Sequence, residues 1–171
     1  VKVIQEDNFF PRLDFILPEM KKIKLYTKEE MMALTNSSGE SWPGTRSKPL
    51  IVENIFLHEY LCYLIFQKKL IDGGFWNIKS HLHLRLEKDE SLDWIHKDQT
   101  DLSILVYLSK TNLNSGTYLY DENDNIVNDI KFVQNRIVIF PGSFAHKGYG
   151  HHGKDIYDGR LTLNLFLTRE K

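Results

Sequence analysis

Residues 81–87 read His-Leu-His-Leu-Arg-Leu-Glu, a strict alternation of polar and apolar side chains. An extended strand turns that pattern into two faces, with the leucines on one and His81, His83, Arg85 and Glu87 on the other. A helix would scatter both classes around its circumference. The polar face carries ionisable groups, which are costly to enclose unless the space is wet or binds something. The plain alternative is an edge strand whose polar face meets solvent. Further period-two or β-rich runs follow at 102–108, 117–120, 126–133, 136–140 and 160–168. Between the last two lies a segment holding Gly142, Gly148, Gly150, Gly153 and Gly159, half of the ten glycines, which reads as a long loop. Short strands joined by turns predict a mainly β domain, a sandwich or barrel of antiparallel sheets.

The first 75 residues read differently. Residues 28–34 form a short helix behind Thr27 as N-cap. Residues 53–71 predict a long helix with basic residues near its end, stopping at Gly73 and Gly74. Its centre, 60–66, is apolar on most sides and is expected to be heavily buried. Residues 13–25 fit a short helix or a strand after a turn at Pro18. Residues 36–49, rich in Ser, Gly and Pro, predict a loop. A single domain spanning 1–171 is expected, with 1–75 as a helical layer packed on the larger sheet of 76–171.

Charge and cysteine content exclude several function classes. The 22 basic and 23 acidic residues give a net charge of −1, which argues against a broad phosphate-binding face and hence against nucleic acid. The one cysteine, Cys62, cannot form an intrachain disulfide, so a reducing compartment such as the cytoplasm is permitted. Cys62 sits in the apolar helix and reads as a packed residue rather than a nucleophile. No apolar run reaches the roughly 18 residues of a membrane span, and residues 1–10 lack a signal-peptide pattern.

The chemistry concentrates later in the chain. His96 and Asp98 are two residues apart, so on an extended backbone they point the same way and can grip one ion. Alone, that pair is a weak signal in a chain with seven histidines. His146 follows the strand 136–140 and a Pro141-Gly142 turn. Arg160 and Thr162 share one face of the last strand, opposite Leu161, Leu163, Leu165 and Leu167. A guanidinium is a planar fork that matches a carboxylate, and a neighbouring hydroxyl adds a donor.

In order, the pieces are His96-Lys97-Asp98, Tyr107-Leu108-Ser109, Ser115-Gly116-Thr117, Ile139-Phe140-Pro141, His146 and Arg160-Leu161-Thr162. This ordered set resembles the 2-oxoglutarate- and Fe(II)-dependent dioxygenases, in their prolyl 4-hydroxylase-like branch, over about residues 80–168. The resemblance implies a double-stranded β-helix, or jelly-roll. It implies Fe(II) held by His96, Asp98 and His146, two imidazoles and a carboxylate that leave open positions for 2-oxoglutarate and O2. It also implies that Arg160, Thr162 and Tyr107 bind the far carboxylate of 2-oxoglutarate, with release of succinate and CO2.

The interval from His146 to Arg160 is longer than the family's usual one, so His151 or His152 stands as an alternative distal ligand. A cupin reading would use His81, His83, Glu87 and His146, but it leaves His96, Asp98, Arg160 and Thr162 without roles. A non-catalytic binding module on the same fold is the other alternative. The loops around 42–48, 77–80, 87–94 and 146–158 are expected to shape the substrate site; Trp42, Trp76 and Trp94 are expected to pack in the core, with the substrate mouth as the alternative place for Trp94. The substrate, a small molecule or a peptide, has no readable code.

Overall fold

Strand β3 (Trp76–Arg85) pairs antiparallel with β9 (Arg160–Arg169) along its whole length, from Trp76 opposite Arg169 to Arg85 opposite Arg160. The structure is a computed structural model that describes residues 2–35, 42–89 and 93–170. On its far edge β9 pairs with β4 (Leu102–Tyr107), β4 with β7 (Ile137–Pro141) and β7 with β1 (Ile4–Glu6). Strand β2 (Thr45–Arg46) adds to the free edge of β3. The result is a six-stranded sheet in the order β1-β7-β4-β9-β3-β2. A second sheet holds β6 (Ile126–Phe132), β5 (Asn112–Tyr120) and β8 (Ala145–Tyr149), in that order. All pairings are antiparallel.

Two strand expectations need correction. The segment 77–80, expected as a loop, belongs to β3. Polar Asn77, Lys79 and Ser80 hid it, but ten ladder pairs with β9 hold it extended. Residues 145–149, expected inside a long glycine-rich loop, form β8, whose sequence has no apolar alternation. It is held by its register with β5, from Gly116 opposite Tyr149 to Tyr120 opposite Ala145. Strands β1 and β2 are too short to show a period.

Four helices lie before β3: α1 (Leu13–Met20), α2 (Lys28–Thr35), α3 (Leu50–Glu53) and α4 (Ile55–Gln67). The N-cap at Thr27 is a reciprocal capping box. The Glu30 amide donates to Thr27 Oγ1 (3.2 Å) and the Thr27 amide donates to the Glu30 carboxylate (2.8 Å). The long helix expected over 53–71 is broken at Asn54, whose side chain accepts from the Leu57 amide and starts α4 afresh. It ends well before Gly73. Lys69 takes a left-handed conformation (φ 55°), and the Leu70 amide reaches back to the Ile65 carbonyl. That is a Schellman-type stop made without glycine. Of the loop expected at 36–49, residues 36–41 lie outside the described residues.

The larger core joins Leu57, Leu61, Leu64 and Ile65 of α4 to the even-numbered face of β3 (Leu82, Leu84) and the odd-numbered face of β9 (Leu161, Leu163, Leu165, Leu167). Each such side chain contributes about 1.5–3 kcal/mol by leaving water. A smaller core joins β4 and β7 (Tyr107, Val138, Phe140) to the second sheet (Leu119, Ile130, Phe132). The three-stranded sheet thus covers the β4–β7 side of the six-stranded one. Among the described residues, no helix is long and apolar enough to cross a membrane.

Candidate active site

On β3 and β9 the residues between the leucines face away from α4 into a cavity of about 1150 Å³. His81, His83 and Arg85 of β3 line it, with Arg160, Thr162, Asn164 and Phe166 of β9. The polar face of the alternating strand is therefore enclosed. β3 is also an internal strand, flanked by β9 and β2.

His96, Asp98 and His146 converge in this cavity, with one ligand atom from each lying within 4.8 Å of the others. The backbone explains why. The His96 amide donates to the His146 carbonyl (3.1 Å) and the His146 amide to the His96 carbonyl (2.8 Å), so the two imidazoles lie side by side. The Asp98 amide donates to the Gly142 carbonyl (2.9 Å), which ties the same loop to the turn after β7. A side chain at position 142 would strike the Thr100 carbonyl and hydroxyl, so glycine is required by this close approach.

The side chains are oriented as donors to a cation. His96 Nδ1 donates to the Trp94 carbonyl and His146 Nδ1 to the Phe144 carbonyl, both at 3.0 Å. In the neutral ring this bond leaves Nε2 as the lone-pair nitrogen that faces Asp98. His146 Nε2 is 3.5 Å from Asp98 Oδ2, and His96 Nε2 is 3.9 Å from Asp98 Oδ1. Burial holds the His146 pKa below its ordinary value, aided by the adjacent His96 and opposed by Asp98. The buried Ser103 hydroxyl donates to Asp98 Oδ2 at 2.5 Å and fixes the carboxylate's rotation. Two neutral imidazoles and one oriented carboxylate are a donor set that fits a divalent transition metal.

Deeper in the cavity, the Arg160 guanidinium is buried. Its Nε donates to Ser115 Oγ (3.2 Å) and its Nη2 to the Gly116 carbonyl (3.0 Å). The rings of Phe132 and Tyr107 lie 5.4 and 5.9 Å from its centre. Among the described residues, no carboxylate lies within ion-pair distance of it. A buried cation held by neutral acceptors is costly and is suited to an incoming anion. Tyr107 donates to Thr117 Oγ1 (2.8 Å), and its phenol pKa is raised by burial. Thr162 sits opposite both Tyr107 and His83 in the ladders and donates to Asn164 Oδ1 (2.7 Å).

The other candidate ligands lie elsewhere. His151 stands 4.0 Å from Asp93, and His152 Nδ1 bonds the Gly150 carbonyl. The cupin set does not gather: His81 Nδ1 donates to the Ser47 carbonyl (3.2 Å) and His83 Nε2 to the Pro43 carbonyl (2.6 Å). Burial keeps both rings neutral, with the His81 pKa pushed down to about 4 and that of His83 well below normal. Among the described residues, the group that converges is His96, Asp98 and His146. Trp94, expected to pack in the core, is instead 42% exposed and lines the cavity. Of the segment 87–94, residues 90–92 lie outside the described residues.

Sequence reasoning missed the roles of Arg85, Asp89 and Asp93. Arg85 is fully buried and paired with Asp89 (3.3 Å) and Asp93 (3.4 Å), which pins the segment leading into His96. The signal was a charged residue at the end of an enclosed face, with acids four and eight positions on.

No family model matches the sequence, and no curated protein is similar to it. Solved structures are similar. A Pseudomonas putida prolyl-4-hydroxylase aligns with a TM-score of 0.60 at 15% identity, over 99% of this chain and 93% of that one. HygX from Streptomyces hygroscopicus, solved with nickel, 2-oxoglutarate and hygromycin B, aligns at 0.69 and 8% identity over 98% and 82%. A Trichoplax adhaerens prolyl hydroxylase, solved with a hypoxia-inducible-factor peptide fragment, aligns at 0.59 and 14% over 98% and 83%. The chain has the fold of the 2-oxoglutarate–Fe(II) oxygenases.

Proposed function

We propose that this chain is a 2-oxoglutarate- and Fe(II)-dependent dioxygenase, a hydroxylase that releases succinate and CO2. One observation carries the reading: His96, Asp98 and His146 converge in the same cavity as the buried Arg160, which has no carboxylate within ion-pair distance among the described residues. A metal grip and a carboxylate grip in one space match a ligand that chelates at one end and is anionic at the other. The sheet order supports a double-stranded β-helix, with the larger sheet β7-β4-β9-β3 extended by β1 and β2. The bridge between His96 and His146 adds a short fourth element beside β8. Residues 1–171 are read as one domain, in which α1, α3 and α4 back the larger sheet while Lys28, Met31, Met32 and Thr35 of α2 border the cavity.

In this mechanism His96, Asp98 and His146 would hold Fe(II), and 2-oxoglutarate and O2 would bind beside them in the same cavity. Bound Fe(II) supplies the redox chemistry that couples oxidative decarboxylation of 2-oxoglutarate to oxygenation of a substrate C–H bond. Arg160 binds the distal carboxylate as a charge-assisted fork, and Thr162 and Tyr107 border it, able to donate to it once their hydroxyls turn from Asn164 and Thr117. Ser103 keeps the Asp98 carboxylate turned toward the metal. Arg85, through Asp93, holds the segment leading to His96. The cavity exceeds what 2-oxoglutarate needs, which leaves its outer part, past His81, Phe166 and Trp42, for a small molecule or a peptide side chain.

The test is anaerobic titration of the Fe(II)-loaded protein with 2-oxoglutarate. The expected result is a weak visible metal-to-ligand charge-transfer band that is absent in His96→Ala. An iron-loaded protein without the band would defeat the proposal.

A further inference from the structure

Helix α4 was expected to be buried over 60–66, and only one side of it is. Leu57, Leu61, Leu64 and Ile65 face the core. On the other side Phe56 is 84% exposed, Tyr63 61% and Phe66 38%, and Val52 of α3 is 74% exposed. Within α4, Phe56, the exposed Glu59, Tyr63 and Phe66 are spaced three, four and three apart, the recurrence of a single helical face; Val52 lies beyond the break at Asn54. A surface helix of a lone globular domain carries polar residues there. Ile51 and Ile55, half-exposed, widen the patch.

We propose that this face is an isologous interface between two copies of the chain, with the two α4 helices antiparallel. Area is the first argument. The exposed parts of Ile51, Val52, Ile55, Phe56, Tyr63 and Phe66 sum to on the order of 700 Å², close to the roughly 800 Å² per partner of a standard interface. That exceeds the apolar patch a monomer ordinarily leaves in water.

Self-complementarity is the second. A two-fold axis near Leu61 sets Phe56 against Phe66 of the second copy and, in the same register, Glu59 against Tyr63. The one charged residue of the seam thus meets a phenol that can donate to it. Beside Phe56, a cleft of about 290 Å³ between α1 and α4, walled by Ile16, Met20, Leu57 and Tyr60, has room for the ring of the second copy's Phe66. The interface lies on the opposite side of the larger sheet from the active-site cavity. It is therefore independent of the proposed activity.

The experiment is sedimentation equilibrium of the whole chain at micromolar concentration. Wild type is expected to be a dimer. Phe56→Glu and Phe66→Lys should each be monomeric, with a native circular-dichroism spectrum and a cooperative melt whose temperature no longer rises with protein concentration. The double variant Phe56→Glu/Phe66→Lys should regain the dimer, because the new charges face one another across the axis. Leu113→Glu, an exposed apolar residue on β5, should stay dimeric. A monomeric wild type, which would give the face to some other partner, overturns the proposal. So does a dimer that survives Phe56→Glu. A double variant that stays monomeric overturns the antiparallel register.

Discussion

The two faces of β3 and β9 are built from the same backbone and obey opposite rules. On one face Leu82, Leu84, Leu161, Leu163, Leu165 and Leu167 are buried against the helices. On the other, His81, His83, Arg85, Arg160, Thr162 and Asn164 are nearly as enclosed, yet polar. The leucine face gains stability from every side chain it removes from water. The polar face spends part of that gain to hold a buried guanidinium and neutral imidazoles in place. Strands whose ladder is fixed by ten pairs can carry this asymmetry, because the apolar face sets the register for both.

Perturbing one face at a time breaks or sharpens the contrast. The largest effect is expected at the metal grip. His96→Ala or Asp98→Ala should abolish iron-dependent 2-oxoglutarate turnover while thermal melting stays near wild type. A variant with unchanged turnover would remove both residues from the site. On the opposite face Leu163→Ala should cost about 2–5 kcal/mol, a large share of the ~5–15 kcal/mol that holds a domain folded. Its residual turnover per folded molecule should be near normal, checked by urea unfolding alongside assay at low temperature.

Arg160→Met tests whether the polar face trades stability for binding. Losing a charge-assisted contact of about 2 kcal/mol predicts a roughly 30-fold higher requirement for 2-oxoglutarate. Iron binding should be retained, and the melting temperature should hold or rise because a buried cation has gone. A clear fall in melting temperature would make Arg160 a structural residue. Ser103→Ala should weaken metal binding about 10-fold through a looser Asp98, read by competition with a coloured chelator.

The smallest effect is expected at His81. Its pKa lies near 4 in the folded chain, against about 6.5 when unfolded, so the unfolded chain binds more protons between those values. Stability contributed by the neutral ring is complete above about pH 6.5 and is lost as pH falls toward 4. His81→Gln should flatten that acid slope in urea midpoints measured at pH 7 and pH 5. Equal slopes would mean that His81 protonates without cost.

Legibility followed periodicity. The alternation at 81–87 announced a two-faced strand, and Thr27 as N-cap announced the start of α2. The candidate ligands and the guanidinium were visible as residue types in order along the chain. Strand β8 was not, because Ala145–Tyr149 has no alternation and is extended only through its pairing with β5. The break at Asn54 and the stop at Lys69 were hidden by an otherwise continuous helical pattern. The exposed side of α4 was misread because hydrophobicity reports a preference for leaving water, not which surface meets it.

The choice of distal ligand shows where the division falls. Sequence alone determined that His96 and Asp98 share a direction, that Arg160 and Thr162 share a face, and that leucines oppose them, since these follow from the strand's repeat of two. It favoured His146, which follows the strand ending at Pro141, and kept His151 or His152 as alternatives. What only the tertiary structure shows is the pairing: backbone bonds between His96 and His146 close the loop across fifty residues and bring those two imidazoles side by side. Local repeats are set by bond geometry within a few residues, whereas convergence depends on which distant strands find one another.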